Sequence, residues 1–330
     1  MNDLESTLQV EKVCVDFQTR RGMVRVLNHV SLDLKSGEAL GIVGESGCGK
    51  SMTALAIMRL VPEPGMISEG KILLREQNLL GLSEKEMRAI RGNKISMIFQ
   101  EPMTALNPVF TIGKQIRESI ELHQGATNAE ANQKAIDMLR AVGISAAEQR
   151  IRQYPHELSG GMRQRVMIAM ALCCQPLVLL ADEPSTALDV TVQAQIFDLL
   201  VDIQKKMGTA VILITHDMGV IADFAQRVVV MYAGRKVEEG PVERIIKNPQ
   251  HPYTKGLIQC VPHLHADPGL ERVELKEIPG VVPDMSRLGP GCPFQPRCQY
   301  SIDPCREKMP PETTVGEQHR VACWLVGVSV

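Results

Sequence analysis

The sequence predicts an α/β protein built on a parallel sheet, with an antiparallel β-rich segment ahead of it, a helical segment within it and a small loop-rich domain behind it. Three observations carry that prediction. The apolar run Ala39-Leu40-Gly41-Ile42-Val43 feeds the glycine-rich turn Gly44-Glu45-Ser46-Gly47-Cys48-Gly49-Lys50-Ser51, and a helical stretch from Met52 to Leu60 follows. The runs from Leu177 to Ala181 and from Ala210 to Thr215 are apolar without interruption, as strands covered on both faces must be. Beyond Gly240 the pattern gives way to prolines, at Pro241, Pro249, Pro252, Pro262, Pro268, Pro279, Pro283 and Pro290.

Leu8-Gln9-Val10 and Val13-Cys14-Val15 read as strand before a turn at Arg21-Gly22, and Val24 to Leu34 reads as strand after it. Gly44 to Ser51 fits the phosphate-binding pattern G-x-x-x-x-G-K-[ST] in the strand–turn–helix context that pattern requires. Gly44, Gly47 and Gly49 let backbone N–H groups approach phosphate oxygens, and the helix start adds a favourable dipole. Lys50 is placed for the β- and γ-phosphates, and the Ser51 hydroxyl for Mg²⁺. A short run from Ile95 to Phe99 ends at Gln100, whose amide suits Mg²⁺ or an attacking water. Between 110 and 175 the chain reads as mostly helical: Ala135, Ile136, Leu139 and Val142 recur at steps of three and four, and Gly143 suits the position after a helix end.

Within that helical region Leu158-Ser159-Gly160-Gly161-Met162-Arg163-Gln164 sets a serine and two glycines at a helix start, a second surface for phosphate. Two half-sites for one nucleotide imply a site closed by pairing with another copy or a relative. The run ending at Asp182-Glu183 puts two carboxylates at the carboxyl end of a parallel strand, where ligands bind. Asp182 then holds Mg²⁺ through water, and Glu183 polarises the attacking water. The next run ends at His216, able to donate to the γ-phosphate.

The order of these motifs, with Ser185-Thr186-Ala187-Leu188-Asp189 among them, resembles the nucleotide-binding subunit of an ABC transporter over about residues 8 to 250. The resemblance implies a RecA-like P-loop NTPase cassette, and the division 1–255 for that domain, about 105–175 for its helical subdomain and 256–330 for a C-terminal extension. It implies two cassettes stacked head to tail, with Ser159, Gly160, Gly161 and Gln164 meeting the ATP of the partner and Asp189 in a loop that crosses the interface. Phe17 matches the aromatic that stacks on adenine; the residue alone also suits a half-buried strand position. The stretch Phe99 to Pro108, the segment His251-Pro252-Tyr253-Thr254 and a four-cysteine tail resemble the dipeptide and oligopeptide permease branch, which includes nickel importers. That branch implies two membrane permease subunits, a second ATPase subunit (identical or related), an extracytoplasmic binding protein, and a peripheral place on the cytoplasmic face of the inner membrane. Met103, Leu106 and Phe110 are the expected dock for a permease helix. A non-transport ABC ATPase of DNA repair or translation is the competing reading; such proteins usually carry two cassettes or a long coiled coil, and this sequence has neither.

Composition agrees. The 36 basic and 38 acidic residues give no charge-based case for nucleic acid. No apolar run has membrane length, and Met1 to Glu5 lacks the marks of a signal peptide, so a soluble cytosolic protein is expected.

Cys14, Cys48, Cys173, Cys174 and Cys260 are scattered and read as small hydrophobes, with Cys48 a candidate reactive thiol. The spacing Cys292-x5-Cys298-x6-Cys305-x17-Cys323 is different. It lacks the close pairs of most zinc sites and suits the irregular ligation of an iron–sulfur cluster, with zinc or no metal as alternatives and His319 a conceivable substitute ligand. By resemblance, members of the peptide-permease branch carry a 4Fe-4S cluster at such cysteines.

Overall fold

A computed structural model describes residues 6–20, 22–100, 105–185, 189–261 and 277–326. Its strands are β1 (Ser6–Thr19), β2 (Gly22–Lys35), β3 (Ala39–Val43), β4 (Gly65–Leu74), β5 (Gln77–Asn78), β6 (Ile95–Ile98), β7 (Val178–Asp182), β8 (Ala210–Thr215), β9 (Arg227–Tyr232), β10 (Arg235–Pro241), β11 (Glu312–Gly316) and β12 (His319–Ala322). The helices that carry the sites are α1 (Lys50–Ile57), α2 (Glu84–Ile90), α3 (Ile112–Gln124), α4 (Asn128–Ala141), α5 (Gly160–Leu172), α6 (Val190–Met207), α7 (Met218–Phe224) and α8 (Pro252–Gln259). The chain forms two compact units: one built on Gly81–Ile212, the other on Leu8–Leu34, Ala39–Leu80 and the chain from Leu213 onward.

In the second unit, β2, β1, β4 and β5 form a four-stranded sheet in that order, with β4 antiparallel to both β1 and β5. The first two strands are longer than the sequence suggests, because an irregular register between Glu11 and Cys14 absorbs the polar break and lets pairing continue to Phe17. The unit's other sheet runs β11-β12-β10-β9-β3. β3 and β9 are parallel, while β9, β10, β12 and β11 are antiparallel neighbours. The C-terminal segment thus extends the sheet whose strand β3 leads to the phosphate turn. β3 and β9 are buried along their whole length, which explains the unbroken apolar runs at residues 39–43 and 228–231.

In the first unit β6 and β7 pair in parallel, Ile95 with Val178 through Ile98 with Ala181. The region expected to be helical breaks into α3, α4 and α5. Thr111 caps α3, whose Ile112, Ile116 and Ile120 are all 0 % exposed at four-residue spacing. Each such side chain contributes about 1.5–3 kcal/mol by burial. A capping box of Thr127 and Glu130 opens α4, and Gly143 follows its end at φ 78°.

Among the described residues no helix is long and apolar enough to cross a membrane.

Candidate functional site

In the second unit β3 delivers the chain to Gly44, where a Cβ would stand 2.3 Å from the Met231 carbonyl oxygen, so only glycine fits. Gly49, at φ 103°, opens α1 with no side-chain cap, the arrangement that lets first-turn N–H groups meet a phosphate. Lys50 is buried, and its Nζ donates to the carbonyls of Gly44 (2.7 Å) and Glu45 (3.1 Å). Ser46 and Gly47 form the exposed tip of the turn, and Ser51 and Met52 are half-buried. Cys48 is fully buried and burial pushes its thiol up, so the expectation of a reactive thiol gives way to a packing role. The Glu45 carboxylate receives a bidentate pair from Arg297 (2.6 and 3.0 Å), and the Glu45 N–H donates to Tyr253 Oη (2.8 Å). Phe17 pairs with Gly65 across β1 and β4, and a Cβ at Gly65 would stand 2.5 Å from the Phe17 ring, so the ring lies on bare backbone. His216 follows β8 directly and is exposed; Asp217 beside it caps α7 by accepting from Gly219 (2.7 Å).

In the first unit Asp182 ends β7 and is 4 % exposed, while Glu183 stands half-buried just beyond it. Glu183 has φ 44°, a left-handed conformation that a non-glycine residue adopts only when its surroundings impose it. Its Oε2 accepts from Gln100 Nε2 at 3.2 Å. The structure therefore brings together the amide and the carboxylate that the sequence assigns to the attacking water.

Ser159 is the N-cap of α5, accepting from Met162 N–H (3.3 Å), and it stands exposed with Gly160. A Cβ at Gly161 would meet Val192 at 3.0 Å, which keeps α5 and α6 close. Asp189 is exposed and caps α6 through Val192 N–H (2.9 Å); Thr186, Ala187 and Leu188 lie outside the described residues, as does Met103.

Two expectations need correcting. Gln164 was expected to face a partner's nucleotide, yet it is 1 % exposed and its amide donates to the Pro184 carbonyl of its own chain. One turn and a half into α5, it points inward and braces the segment after Glu183. Leu106 was expected on a docking surface, yet it is 3 % exposed and belongs to the core; among the described residues the exposed large apolar side chains there are Phe99 and Val109.

Cys292, Cys298, Cys305 and Cys323 line one small cavity with Phe294 and Trp324. Burial pushes the Cys292 thiol up to about 11 and raises those of Cys298 and Cys323. Working the other way, the amides of Phe294, Tyr300 and Leu325, each two residues on, donate to these three sulfurs and favour thiolate. Among the described residues Cys14, His29 and Glu69 set three donor atoms within 4.8 Å of one another. The Cys14 group is not a rival metal site, because Glu69 is already paired with the Arg25 guanidinium at 2.8 Å. His319 does not join the cysteines; it is paired with Glu238 at 2.8 Å.

Sequence reasoning missed α2, although Ser83 and Glu86 spell a capping box, and it missed the β11–β12 hairpin. It also missed Arg297 and Tyr253 as neighbours of the phosphate turn. No local signal could have found a pair 252 positions apart.

Residues 27–186 match the ABC transporter family, and residues 237–305 match the C-terminal region of oligopeptide/dipeptide transporters. The chain is 49 % identical to the dipeptide transport ATP-binding protein DppD of Bacillus subtilis, over 98 % of this chain and 95 % of that protein. It is 45 % identical to the protein of the same name from Escherichia coli, over 96 % and 95 % of the two chains. The dimeric structure of a bacterial ABC transporter cassette superposes with a TM-score of 0.64 at 29 % identity, covering 71 % of this chain and 98 % of that one. The chain belongs to the ABC transporter family. Within it the chain is an ATP-binding subunit, an ATPase coupled to transport.

Proposed function

We propose that this chain is the ATP-hydrolysing subunit of an importer that takes up di- and oligopeptides through two membrane permease subunits, held peripherally at the cytoplasmic face of the membrane. The observation that carries this reading is likeness along nearly the whole chain to dipeptide transport ATP-binding proteins, with the C-terminal match included. Residues 1–255 form the nucleotide-binding domain, about 105–175 its helical subdomain, and 256–330 the extension.

In this reading the turn Gly44 to Ser51 and the start of α1 receive the phosphates, Lys50 neutralises the β- and γ-phosphates, and Phe17 stacks on adenine. Ser51, Gln100 and Asp182 hold Mg²⁺, which draws charge from the phosphate oxygens. Glu183 polarises the attacking water, and the bond from Gln100 helps to fix that carboxylate. His216 donates to the γ-phosphate. Ser159, Gly160 and Gly161 face the nucleotide of a second cassette, identical or related, with Asp189 at the joint. Gln164 acts within its own subunit. Catalysis is positioning and charge stabilisation, as phosphoryl transfer requires.

The four cysteines hold a 4Fe-4S cluster in this reading. Four cysteines gathered around one cavity and three amides aimed at sulfur support it. A bound cluster supplies four metal–sulfur bonds that pin a segment with little apolar surface to bury.

Uptake of a labelled dipeptide by cells lacking this gene tests the transport assignment. Wild-type chain restores uptake and Glu183→Gln does not. Restoration of nickel uptake without peptide uptake refutes the peptide reading, and restoration of neither refutes import. Anaerobically purified chain is expected to be brown, with iron and sulfide in equal amounts and the colour lost in Cys292→Ser; stoichiometric zinc or a colourless iron-free protein refutes the cluster.

A further inference from the structure

The phosphate turn and the four-cysteine segment meet at one side chain. Arg297 lies in the 3-10 turn Gln295–Arg297, between Cys292 and Cys298, and its side chain is 4 % exposed. All five of its N–H donors are engaged. Nη1 and Nη2 grip Glu45 Oε2 (2.6 Å) and Oε1 (3.0 Å). Nη1 also donates to Tyr232 Oη (3.3 Å), Nη2 to the Ile278 carbonyl (3.1 Å) and Nε to the Pro279 carbonyl (2.8 Å). A planar fork on a planar carboxylate fixes orientation as well as distance. The Glu45 backbone is held too: its N–H donates to Tyr253 Oη (2.8 Å), and the Tyr253 ring packs on Tyr232 (4.6 Å) and Phe294 (5.4 Å). Lys50 donates to the Glu45 carbonyl, so the phosphate-binding ammonium is tied to the same residue.

We propose that Arg297 is a positioning residue for the phosphate turn. By fixing Glu45 it sets the turn's shape for nucleotide, and because its own turn is strung between Cys292 and Cys298, nucleotide affinity depends on the state of the four-cysteine segment. The first statement stands on the contacts alone; the second rests on the cluster reading above.

The test is titration of a fluorescent ADP analogue into the full chain, since the turn of a single subunit reports on ADP. Arg297→Ala and Glu45→Gln each weaken ADP binding about tenfold, which corresponds to about 1.4 kcal/mol. The double variant is no weaker than the worse single, as residues acting through one contact require. Arg297→Lys recovers part of the loss, because an ammonium keeps the charge and loses the fork. In ATP hydrolysis Arg297→Ala raises KM more than it lowers kcat. Additive losses, or wild-type ADP affinity in Glu45→Gln, overturn the proposal; Glu45 is 28 % exposed and the glutamine is isosteric, so this holds even where Arg297→Ala fails to fold. Cys298→Ser, with its iron lost, weakens ADP as Arg297→Ala does; unchanged affinity overturns the dependence on the cysteines. A wild-type chain without iron refutes the cluster reading and the dependence on it, while the Glu45–Arg297 cycle still decides the positioning role.

Discussion

Replacing Gln164 separates a brace within the subunit from a contact across a dimer. The side chain is 1 % exposed; its amide nitrogen donates to the Pro184 carbonyl, and its Oε1 is buried with no hydrogen-bond partner among the described residues. Gln164→Met keeps the volume and removes both atoms. Loss of the donor leaves the Pro184 carbonyl unsatisfied, which costs about 1–3 kcal/mol, but loss of the orphaned oxygen relieves a penalty of the same order. The two nearly offset, so Met should change stability by no more than about 1 kcal/mol. Gln164→Ala loses the same donor and leaves a cavity besides, and truncations of this size in a core cost about 2–5 kcal/mol. Denaturant unfolding of the two variants, with the slope compared to wild type, measures the difference. Both should lower kcat, because Pro184 follows Glu183 directly, while leaving ADP affinity of the single subunit unchanged. Equal stability of both variants, combined with equal loss of ATP-dependent pairing, would show that the side chain works across the interface and that the buried placement is wrong.

Leu106→Asp places a charge at a site 3 % exposed and should destabilise the chain by about 4 kcal/mol or more, seen as loss of soluble folded protein. A stable Leu106→Asp chain that merely detaches from its membrane partners would restore the docking assignment. Gly65→Ala forces a Cβ to 2.5 Å from the Phe17 ring and should cost about 1–3 kcal/mol while raising KM for ATP. Unchanged KM would separate Phe17 from the adenine.

The parallel strands and the phosphate turn were legible because their signals are local. Residues 39–43 and 178–181 are buried throughout, so each had to be apolar at every position, and Gly44 had to be glycine to clear the Met231 carbonyl. The side a helical residue faces is less legible. Gln164 is polar and sits five residues after the exposed Ser159, yet the turn of α5 carries it inward to satisfy a backbone carbonyl. Leu106 stood among residues read as surface, and nothing in its neighbours marks it as core. Arg297 resembles any loop arginine until the fold brings Glu45 to it. The cysteine spacing indicated a shared site, and the fold gathers the four side chains around one cavity.

The central claim is that each nucleotide is shared by the phosphate turn of one cassette and the Ser159 surface of another. It is tested by adding Ser159→Arg to the Glu183→Gln chain and measuring two quantities with MgATP and ADP. These are the mass of the assembly in solution, with the chain alone and with its partner ATPase, and the ADP affinity of the single subunit. The account predicts that Glu183→Gln pairs in MgATP, that the added Ser159→Arg abolishes pairing, and that ADP affinity is untouched. Pairing that survives Ser159→Arg, or ADP affinity that falls with it, would contradict the account.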